Sequence, residues 1–481
     1  MKPPRVDDDV ASLRDHPLEL LPEPVTALDR SVPPRPAGMR GWEAPPLPAI
    51  ADPVAEIEAV LANLEGAGRA MGAVEELFGR EARQAAADSR RRLAEGVARP
   101  LEGLAFGVKD VIQVEGTPTT FGSPAYTGYR PKITARVVRN LRAAGAILVA
   151  KLATYEFASG PNARTRNPWD PRRRSGGSSS GSASAIGAGL LPLALGTDSG
   201  GSIRVPAAWC GAVGFKPTRG RVPTEGVPPL SWHLDHTGTL TQTVIAAAAV
   251  FGHLAGEPVW AADVGEEGPH PLEGMTIGVL GGWFQLVDTE VAAATEEAIA
   301  VLGGLGARLV PVEFPLVDRI NPDAIKRVLV DAESAALHDP SRPGYGPVFA
   351  QLLESGSRLR AVDYIHALRL GSLLAQGATA LFDGVDALVC ATSAVVAPFE
   401  EEDAVTLGGR MMPLADVVAR NTSIFNISGH PALTVPSGAG PSTGMPTALQ
   451  IIAPHWRDDT CFRIGMAYQS RAGTIVAPVR G

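Results

Sequence analysis

Two clusters of glycine and serine carry the residue types needed for nucleophilic chemistry. They read SGGSSSGSAS over residues 175–184 and GTDSGGSIR over residues 196–204. A serine hydroxyl can attack a carbonyl carbon, and successive backbone N–H groups without side chains can form a concavity that binds an anion. Because Gly200-Gly201-Ser202 leads into a predicted helix from Ile203, we expect such a concavity there. An isolated cluster of this composition is also typical of a flexible linker, but each of these abuts an apolar segment.

The clusters do not match the common phosphate-binding or serine-hydrolase motifs. Gly176 and Gly181 have the spacing of a phosphate-binding loop, but Ser182 stands where that motif requires lysine. Arg204 occupies the final glycine position of a GxSxG elbow around Ser202, and no serine lies three residues before a lysine as in the SxxK motif. A nucleophilic serine in these clusters therefore needs a base from elsewhere in the chain.

Lys109 is the strongest candidate for that base. The chain has six lysines against 37 arginines, so a lysine retained in an apolar run invites a specific reason. Lys109 lies in the strand-like segment FGVKDVI, where burial of a charged ammonium is costly unless that group is paired or neutral. One alternative is a structural ion pair with Asp110 or Glu102. The other is a general base, because the pKa of lysine falls readily on burial.

The hydrophobic pattern predicts an α/β domain that positions these groups. A helical repeat over residues 135–146 ends at Gly145, and two amphipathic helices fit residues 52–96. Strand-like runs alternate with the helical ones, and they read LAFGVKDVI, AILVAKL, LLPLALG, MTIGVLGGW, ARLVPVEFP and DALVCATSA. This alternation favours a parallel or mixed sheet covered by helices.

The domain organisation is predicted from composition. Residues 1–51 form a proline-rich N-terminal extension, because eleven prolines among the first 50 residues exclude regular helix or sheet. Residues 52–481 are predicted to form one domain. The formal net charge of −8 provides no broad basic surface, so nucleic acid is not an expected partner.

The cysteines and the apolar segments bear on the cellular compartment. Cys210, Cys390 and Cys461 lie far apart without a CxxC pair, so neither a metal site nor a disulfide framework is expected. The amino terminus lacks a signal-peptide pattern, and no apolar run reaches the length of a membrane span. We therefore expect a cytoplasmic protein that does not associate with membranes, with a homodimer as one option for its assembly.

The motifs together resemble the amidase signature family. The resemblance rests on GVKD at Lys109, GGSSSGS from Gly176, GTDSGGSIRVP from Gly196, and the later segments GFKPTRGRVP, LDHTGTLTQTV, GHPALTVPSG and MPTALQII. It extends from about residue 52 to the end of the chain, with a signature core at about residues 101–225. It implies one large domain with a central mixed β-sheet covered by α-helices on both faces. It implies no cofactor.

The resemblance also implies a catalytic triad. By motif, Ser202 is the nucleophile, Ser178 is a serine in a cis peptide that relays protons, and Lys109 is the base. The backbone N–H groups of Ser199, Gly200, Gly201 and Ser202 would then form the oxyanion hole. Asp198 and Arg204 match positions that brace this loop. The segment Ala150-Lys-Leu-Ala153 departs from the family pattern at no triad position.

The substrate pocket is less clearly specified by the sequence. Phe121, Tyr126 and Trp232 are candidates to line it, although an aromatic side chain beside a glycine-rich loop is as often simple packing. His233 and His236 are spaced like a metal-binding pair, but no third ligand is apparent, so no metal is expected. With no cation evident for a substrate carboxylate, except Arg172–Arg174, we expect a neutral or apolar acyl group.

The predicted function is an amidohydrolase that cleaves a carboxylic amide C–N bond through a Ser202 acyl-enzyme and releases an amine or ammonia. A carbamate or urethane hydrolase with the same triad is one alternative. Another is the A subunit of an aminoacyl-tRNA amidotransferase, which resembles the same motifs and passes ammonia to a partner. An alternative from a different class is a non-catalytic scaffold or small-molecule binder on this fold. The presence of all three triad positions argues against it.

Overall fold

The computed structural model describes residues 32–37, 39, 41–45, 47–160, 164–261 and 268–477. Residues 1–31 of the predicted proline-rich extension lie outside these ranges. In its described part, Trp42 packs against Phe251 with 4.7 Å between the ring centroids. The predicted domain boundary near residue 52 stays a prediction.

Within the described residues, an 11-stranded mixed sheet forms the centre of the fold. The strands are β1 (Trp42–Ala44), β2 (Val74–Leu77), β3 (Ala105–Lys109), β4 (Ile147–Leu152), β5 (Leu193–Asp198), β6 (Val213–Lys216), β7 (His236–Thr241), β8 (Val259–Ala261), β9 (Thr276–Leu280), β10 (Arg308–Val312), β11 (Ala387–Ala391), β12 (Ala404–Leu407), β13 (Arg410–Pro413), β14 (Ala432–Ala439) and β15 (Pro446–Ile452). The order in the large sheet is β10-β9-β11-β15-β14-β6-β7-β5-β3-β4-β2, and β1 pairs with β8 and β12 with β13 in two small sheets.

Helices surround this sheet. They are α1 (Pro53–Asn63), α2 (Gly79–Ala94), α3 (Arg136–Ala143), α4 (Ser180–Gly187), α5 (Arg204–Cys210), α6 (Val244–Ala255), α7 (Thr289–Gly304), α8 (Leu316–Arg319), α9 (Pro322–Leu337), α10 (Pro347–Arg358), α11 (Ala361–Ala380), α12 (Leu414–Val417), α13 (Ser423–Ile427) and α14 (Asp458–Ala472). A search of the described residues finds no helix with the length and hydropathy of a membrane span.

The central strands are buried on both faces. Along β5, Leu193 and Leu195 enter one hydrophobic cluster, whereas Ala194 between them enters another. Successive side chains of a strand point to opposite faces, so each cluster fills one side of the sheet. This explains why LLPLALG is a continuous apolar run rather than an alternating one. The predicted mixed sheet with helices on both faces is confirmed.

The strands of the large sheet that were not predicted from the sequence are β2, β6, β7, β14 and β15. The segment predicted as two amphipathic helices contains α1 and α2, but β2 lies between them and pairs antiparallel with the edge of the sheet at β4. Its sequence is VEEL, in which two consecutive glutamates interrupt any apolar alternation. An edge strand keeps one side toward solvent, so polar residues are tolerated there and the usual strand signal is weak.

The sheet brings the two glycine-serine clusters and the lysine together. β3 and β5 are parallel neighbours, with Gly107 opposite Ala194, so Lys109 and Asp198 end at the same edge. β7 lies antiparallel on the other side of β5, with His236 opposite Asp198. The residues that follow β5 therefore meet the end of β3 and the start of β7, which is where the candidate site lies.

Candidate active site

Lys109 is completely buried at the end of β3. Its Nζ lies 2.7 Å from Ser178 Oγ and 2.7 Å from Thr197 Oγ1, in hydrogen bonds to both hydroxyls. The alternative partner Asp110 instead forms an ion pair with Lys151, whose Nζ lies 3.1 Å from Asp110 Oδ1. The structure therefore places Lys109 among hydroxyl groups rather than beside a carboxylate.

The surroundings of Lys109 change its ionisation. Burial disfavours the charged ammonium and lowers the pKa of Lys109 to about 7, although the charges of Asp235 and Asp198 act in the opposite direction. An amine with this pKa is substantially neutral at physiological pH. The Lys109 side chain can therefore accept a proton from a hydroxyl at hydrogen-bond distance.

The first glycine-serine cluster presents Ser178 to this amine. The Gly177–Ser178 peptide bond is cis, and Ser178 is buried just before α4. A Cβ on Gly177 would lie 2.2 Å from the ring of Tyr155, so only glycine allows the chain to pass beneath that ring. The backbone N–H of Ser179 donates to the carbonyl of Ser202 at 3.2 Å, which joins the first cluster directly to the second.

The second cluster forms a tight loop organised by Asp198. The Asp198 carboxylate accepts the backbone N–H groups of Gly201 at 2.7 Å and of Ile203 at 3.1 Å. It also pairs with the guanidinium of Arg204, whose Nη2 lies 2.9 Å from Oδ1. Burial alone would raise the pKa of Asp198, but the charge and hydrogen bonds of Arg204 lower it far below the usual range. Both side chains are fully buried, so the pair acts as a fixed brace, as the family resemblance implied.

Residues from the end of the chain hold the same loop from outside. Thr422 Oγ1 donates to the carbonyl of Gly200 at 2.6 Å, and Asn426 Nδ2 donates to Asp198 Oδ1 at 2.8 Å. Arg204 Nη1 reaches Gln450 Oε1 at 2.7 Å. Gly201 has a φ of +134°, and a Cβ there would lie 2.3 Å from Thr422 Oγ1. Glycine at this position is therefore required by backbone conformation and by space.

The four backbone N–H groups predicted for the oxyanion hole do not all have the same surroundings in the structure. The Gly201 N–H points to Asp198 and not to the open side of the loop. The N–H groups of Ser199, Gly200 and Ser202 donate to no acceptor within the part of the chain that the structure describes. The difference arises because the buried Asp198 carboxylate needs donors, and the turn of the loop presents this amide to it.

Two side chains that contact the candidate site residues were not identified from the sequence. Thr197 lies inside the motif GTDSGGSIR and holds the Lys109 amine, but its hydroxyl was not singled out. Asp235 accepts hydrogen bonds from Ser199 Oγ and from the Leu230 N–H. Burial raises the pKa of Asp235 to about 6, against the effect of those hydrogen bonds. The one feature of the sequence that could have drawn attention to Asp235 is its position between His233 and His236.

A cavity of about 300 Å³ opens beside Thr197 and Ser199. Of the predicted pocket residues, Phe121 and Trp232 line it. Tyr126 does not; it packs behind Phe121 with 5.3 Å between the ring centroids. The lining residues are mostly apolar, and they are Val111, Phe121, Phe157, Ala158, Thr197, Ser199, Thr224, Glu225, Val227, Pro228, Pro229, Leu230, Trp232, Asp235, His236 and Thr237.

The two histidines have separate protein partners. His233 Nδ1 lies 2.6 Å from Glu333 Oε1, and His236 Nδ1 lies 2.7 Å from the carbonyl of Leu234. A search of the described side chains finds no group of three or more His, Cys, Asp or Glu placed to hold a metal ion. The side chains that the structure brings to the Lys109 amine are the hydroxyls of Ser178 and Thr197.

Comparison with known proteins finds amidases by family model, by sequence and by structure. The family model described as Amidase matches residues 55–462. An amidase from Pseudomonas putida is 36% identical over 386 residues, which cover 77% of this chain and 82% of that protein. The A subunit of glutamyl-tRNA(Gln) amidotransferase from Chloroflexus aurantiacus is 35% identical over 80% of this chain and 85% of that protein. The crystal structure of an amidase superposes with a TM-score of 0.80 at 33% identity, covering 88% of this chain and 97% of that one.

Proposed function

This chain belongs to the amidase family and is an enzyme that hydrolyses amide C–N bonds, and we propose that it does so through an acyl-enzyme on Ser202. The observation that carries the proposal is the buried Lys109 amine, 2.7 Å from the Ser178 hydroxyl. Ser178 belongs to the cluster whose backbone bonds to Ser202. The proposed relay is therefore hydrogen-bonded to the proposed base, and the backbone of the next residue is bonded to the proposed nucleophile.

The proposed acylation begins with two proton transfers. Ser178 passes its proton to the neutral Lys109 amine and takes the proton of Ser202, whose oxygen attacks the amide carbonyl carbon. The resulting oxyanion accepts hydrogen bonds from backbone N–H groups of the loop, each worth about 3 kcal/mol in such sites. The C–N bond then breaks, and the leaving nitrogen receives the proton from Lys109 through Ser178. An amine or ammonia departs.

Deacylation repeats the sequence with water. Water loses a proton to the same relay and attacks the acyl carbon, and the bond to Ser202 Oγ breaks with return of the proton to that oxygen. The net reaction is amide plus water giving carboxylic acid plus amine. A carbamate carbonyl has the same geometry, so urethane hydrolysis is the nearest variant of this proposal.

Replacing Ser178 by alanine is expected to reduce kcat by about 10³-fold, because general acid–base steps contribute up to roughly 10⁴-fold in enzymes. The fold should be retained, since Ser178 is held by the backbone around it. Steady-state kinetics on one amide would test this result. Ser175→Ala is the matched control, because the Ser175 hydroxyl donates to the Thr165 carbonyl and not to Lys109. A near-normal rate in Ser178→Ala would assign the relay to another group.

The cavity supports a neutral or apolar acyl group. Its charged lining residues are Glu225 and Asp235, both acidic, so a substrate carboxylate would meet like charge. Arg172–Arg174, the exception considered from the sequence, bind Asp170, the Ala397 carbonyl and the Glu400 carbonyl instead.

A panel of amides, aryl amides, carbamates and esters tests both substrate class and acyl preference. We expect the highest kcat/KM on amides with an apolar acyl group, at least about tenfold above those with a carboxylate in that group, which corresponds to about 1.4 kcal/mol. Rates concentrated on dicarboxylic amides would contradict the acyl preference. Rates confined to carbamates would favour the urethane variant.

The A subunit of an amidotransferase is the second candidate, since relatives with that name are 35% identical to this chain. If this candidate is correct, the chain should co-purify with a B-type partner and release ammonia from glutamine faster in its presence. If the panel amides are cleaved by the chain alone and no such partner is captured, the amidase proposal is favoured. We also propose a cytoplasmic location, which the three free, buried cysteines support.

A further inference from the structure

Lys326 on α9 lies directly against the loop between β5 and α5, which contains Gly200 and Ser202. A Cβ on Gly200 would lie 2.6 Å from Cδ of Lys326, so the stem of Lys326 crosses the backbone of the loop at that glycine. The side chain is 18% exposed, whereas Lys109, Lys151 and Lys216 are fully buried. Among the described lysines, Lys326 is therefore the one that combines contact with this loop and access to solvent.

The ammonium group of Lys326 is held in place by an ion pair. Lys326 Nζ donates to Asp323 Oδ1 at 2.7 Å, and Asp323 is buried with 2% exposure. Ser423 Oγ donates to the same oxygen at 2.6 Å, and the neighbouring Thr422 holds the carbonyl of Gly200. Two sets of contacts therefore fix the ammonium group relative to the loop. One is the packing of the Lys326 methylene groups on Gly200, and the other runs through Asp323 to Ser423 of α13.

The ammonium retains binding capacity. A lysine ammonium has three N–H donors, and one of them is used by Asp323. Burial alone would raise the pKa of Asp323, but the charge and hydrogen bond of Lys326 lower it, so this carboxylate stays ionised. Lys326 therefore has two further N–H donors that a ligand could use.

Lys326 lies outside the cavity that receives the acyl group. Thr197 and Ser199 line this cavity, whereas Gly200 and Lys326 do not. An amide with its carbonyl in the oxyanion hole extends in two directions from that loop. If the acyl group fills the cavity, the amine half must leave it, and α9 lies beside the part of the loop outside the cavity.

We propose that Lys326 is a specificity-determining residue that binds a carboxylate carried by the amine half of the substrate. The inference rests on the proposed function, because it assigns the cavity to the acyl half. It names the substrate class as amides of a neutral, apolar acid with an amine that bears an acidic group. The acyl preference given above is unchanged, since the two halves bind on different sides of the loop.

Two matched substrates test this proposal. They share one apolar acyl group and differ only in the amine, 3-carboxyaniline in one and 3-methylaniline in the other. The variant is Lys326→Gln, which keeps much of the stem and a donor for Asp323 but removes the charge. We expect kcat/KM for the carboxyanilide to fall about tenfold, mainly through KM, with a change within about twofold for the methylanilide. Lys326→Arg should restore most of the preference. Comparing each substrate between enzymes cancels the electronic difference between the amines.

The other outcomes have distinct meanings. Equal loss on both substrates would overturn the proposal, because Lys326 would then only support the loop; no loss on either would overturn it as well. If the glutamine variant does not fold, the wild-type preference for the carboxyanilide should fall with added salt, and a preference that is absent or insensitive to salt overturns the proposal. Cleavage of neither anilide, together with inactivity on the amide panel, contradicts the proposed function itself, whereas cleavage of the methylanilide alone contradicts only this inference.

Discussion

Ser202→Ala is expected to abolish covalent labelling by a fluorophosphonate and to lower amide turnover by roughly 10⁵-fold or more, as for other serine nucleophiles. The reason is that the proposed acyl-enzyme forms on the Ser202 hydroxyl oxygen, which alanine lacks. Labelling can be followed by intact mass, and turnover by release of the amine.

The control for this experiment is built into the structure. The Ser202 hydroxyl makes no hydrogen bond within the described residues, so its loss should leave the thermal unfolding temperature unchanged. Ser175→Ala and Ser180→Ala should be labelled as fully as the wild type, because their hydroxyls bind backbone carbonyls. Full labelling of Ser202→Ala would remove it as the nucleophile.

The pH dependence of kcat/KM is expected to follow the ionisation of Lys109. Its pKa is lowered to about 7 by burial, and the neutral amine is the active form. Activity should therefore rise with pH through about 7 and level off on the alkaline side. Lys109→Ala should lose about 10⁴-fold in rate and also lose this ionisation. Lys109→Arg should not rescue, because a guanidinium stays protonated.

Asp235 provides an independent check on this assignment. Its negative charge raises the pKa of Lys109, so Asp235→Asn should move the midpoint of the pH profile to lower pH. Measurements from about pH 5 to 10 on wild type and the three variants bracket the midpoint expected near 7. An active arginine variant, or an unchanged profile in Lys109→Ala, would show that another group is the base.

The sequence predicted six of the 11 strands in the large sheet, and the other five were missed. LAFGVKDVI, AILVAKL and LLPLALG contain β3, β4 and β5, because buried strands leave continuous apolar runs. β2 escaped detection, since VEEL has little hydrophobic pattern and is specified by pairing with β4. Burial alone does not decide the outcome, because β7 and β15 are buried along their whole length and were also missed.

Within the site, the family motifs located Lys109 and Ser178, which are 69 residues apart in the sequence. Lys109 and Ser178 are 2.7 Å apart in the structure, although the prediction that they act as base and relay awaits the variants described above. Tyr126 was predicted to line the pocket, but it packs behind Phe121 instead. Aromatic character alone does not show which way a side chain points. The loop contacts from Thr422 and Asn426 had no local signal, because they arise only when distant segments pack together.

Those distant contacts have a consequence for synthesis of the chain. The loop with Ser202 is held by Thr422, Asn426 and Gln450, more than 200 residues later in the sequence. A nascent polypeptide that has emerged from the ribosome as far as Ser202 holds the reacting side chains but lacks the residues that fix the carbonyl of Gly200 and the guanidinium of Arg204. Hydrolytic competence therefore arrives late in translation, when the carboxyl-terminal strands have been made and paired.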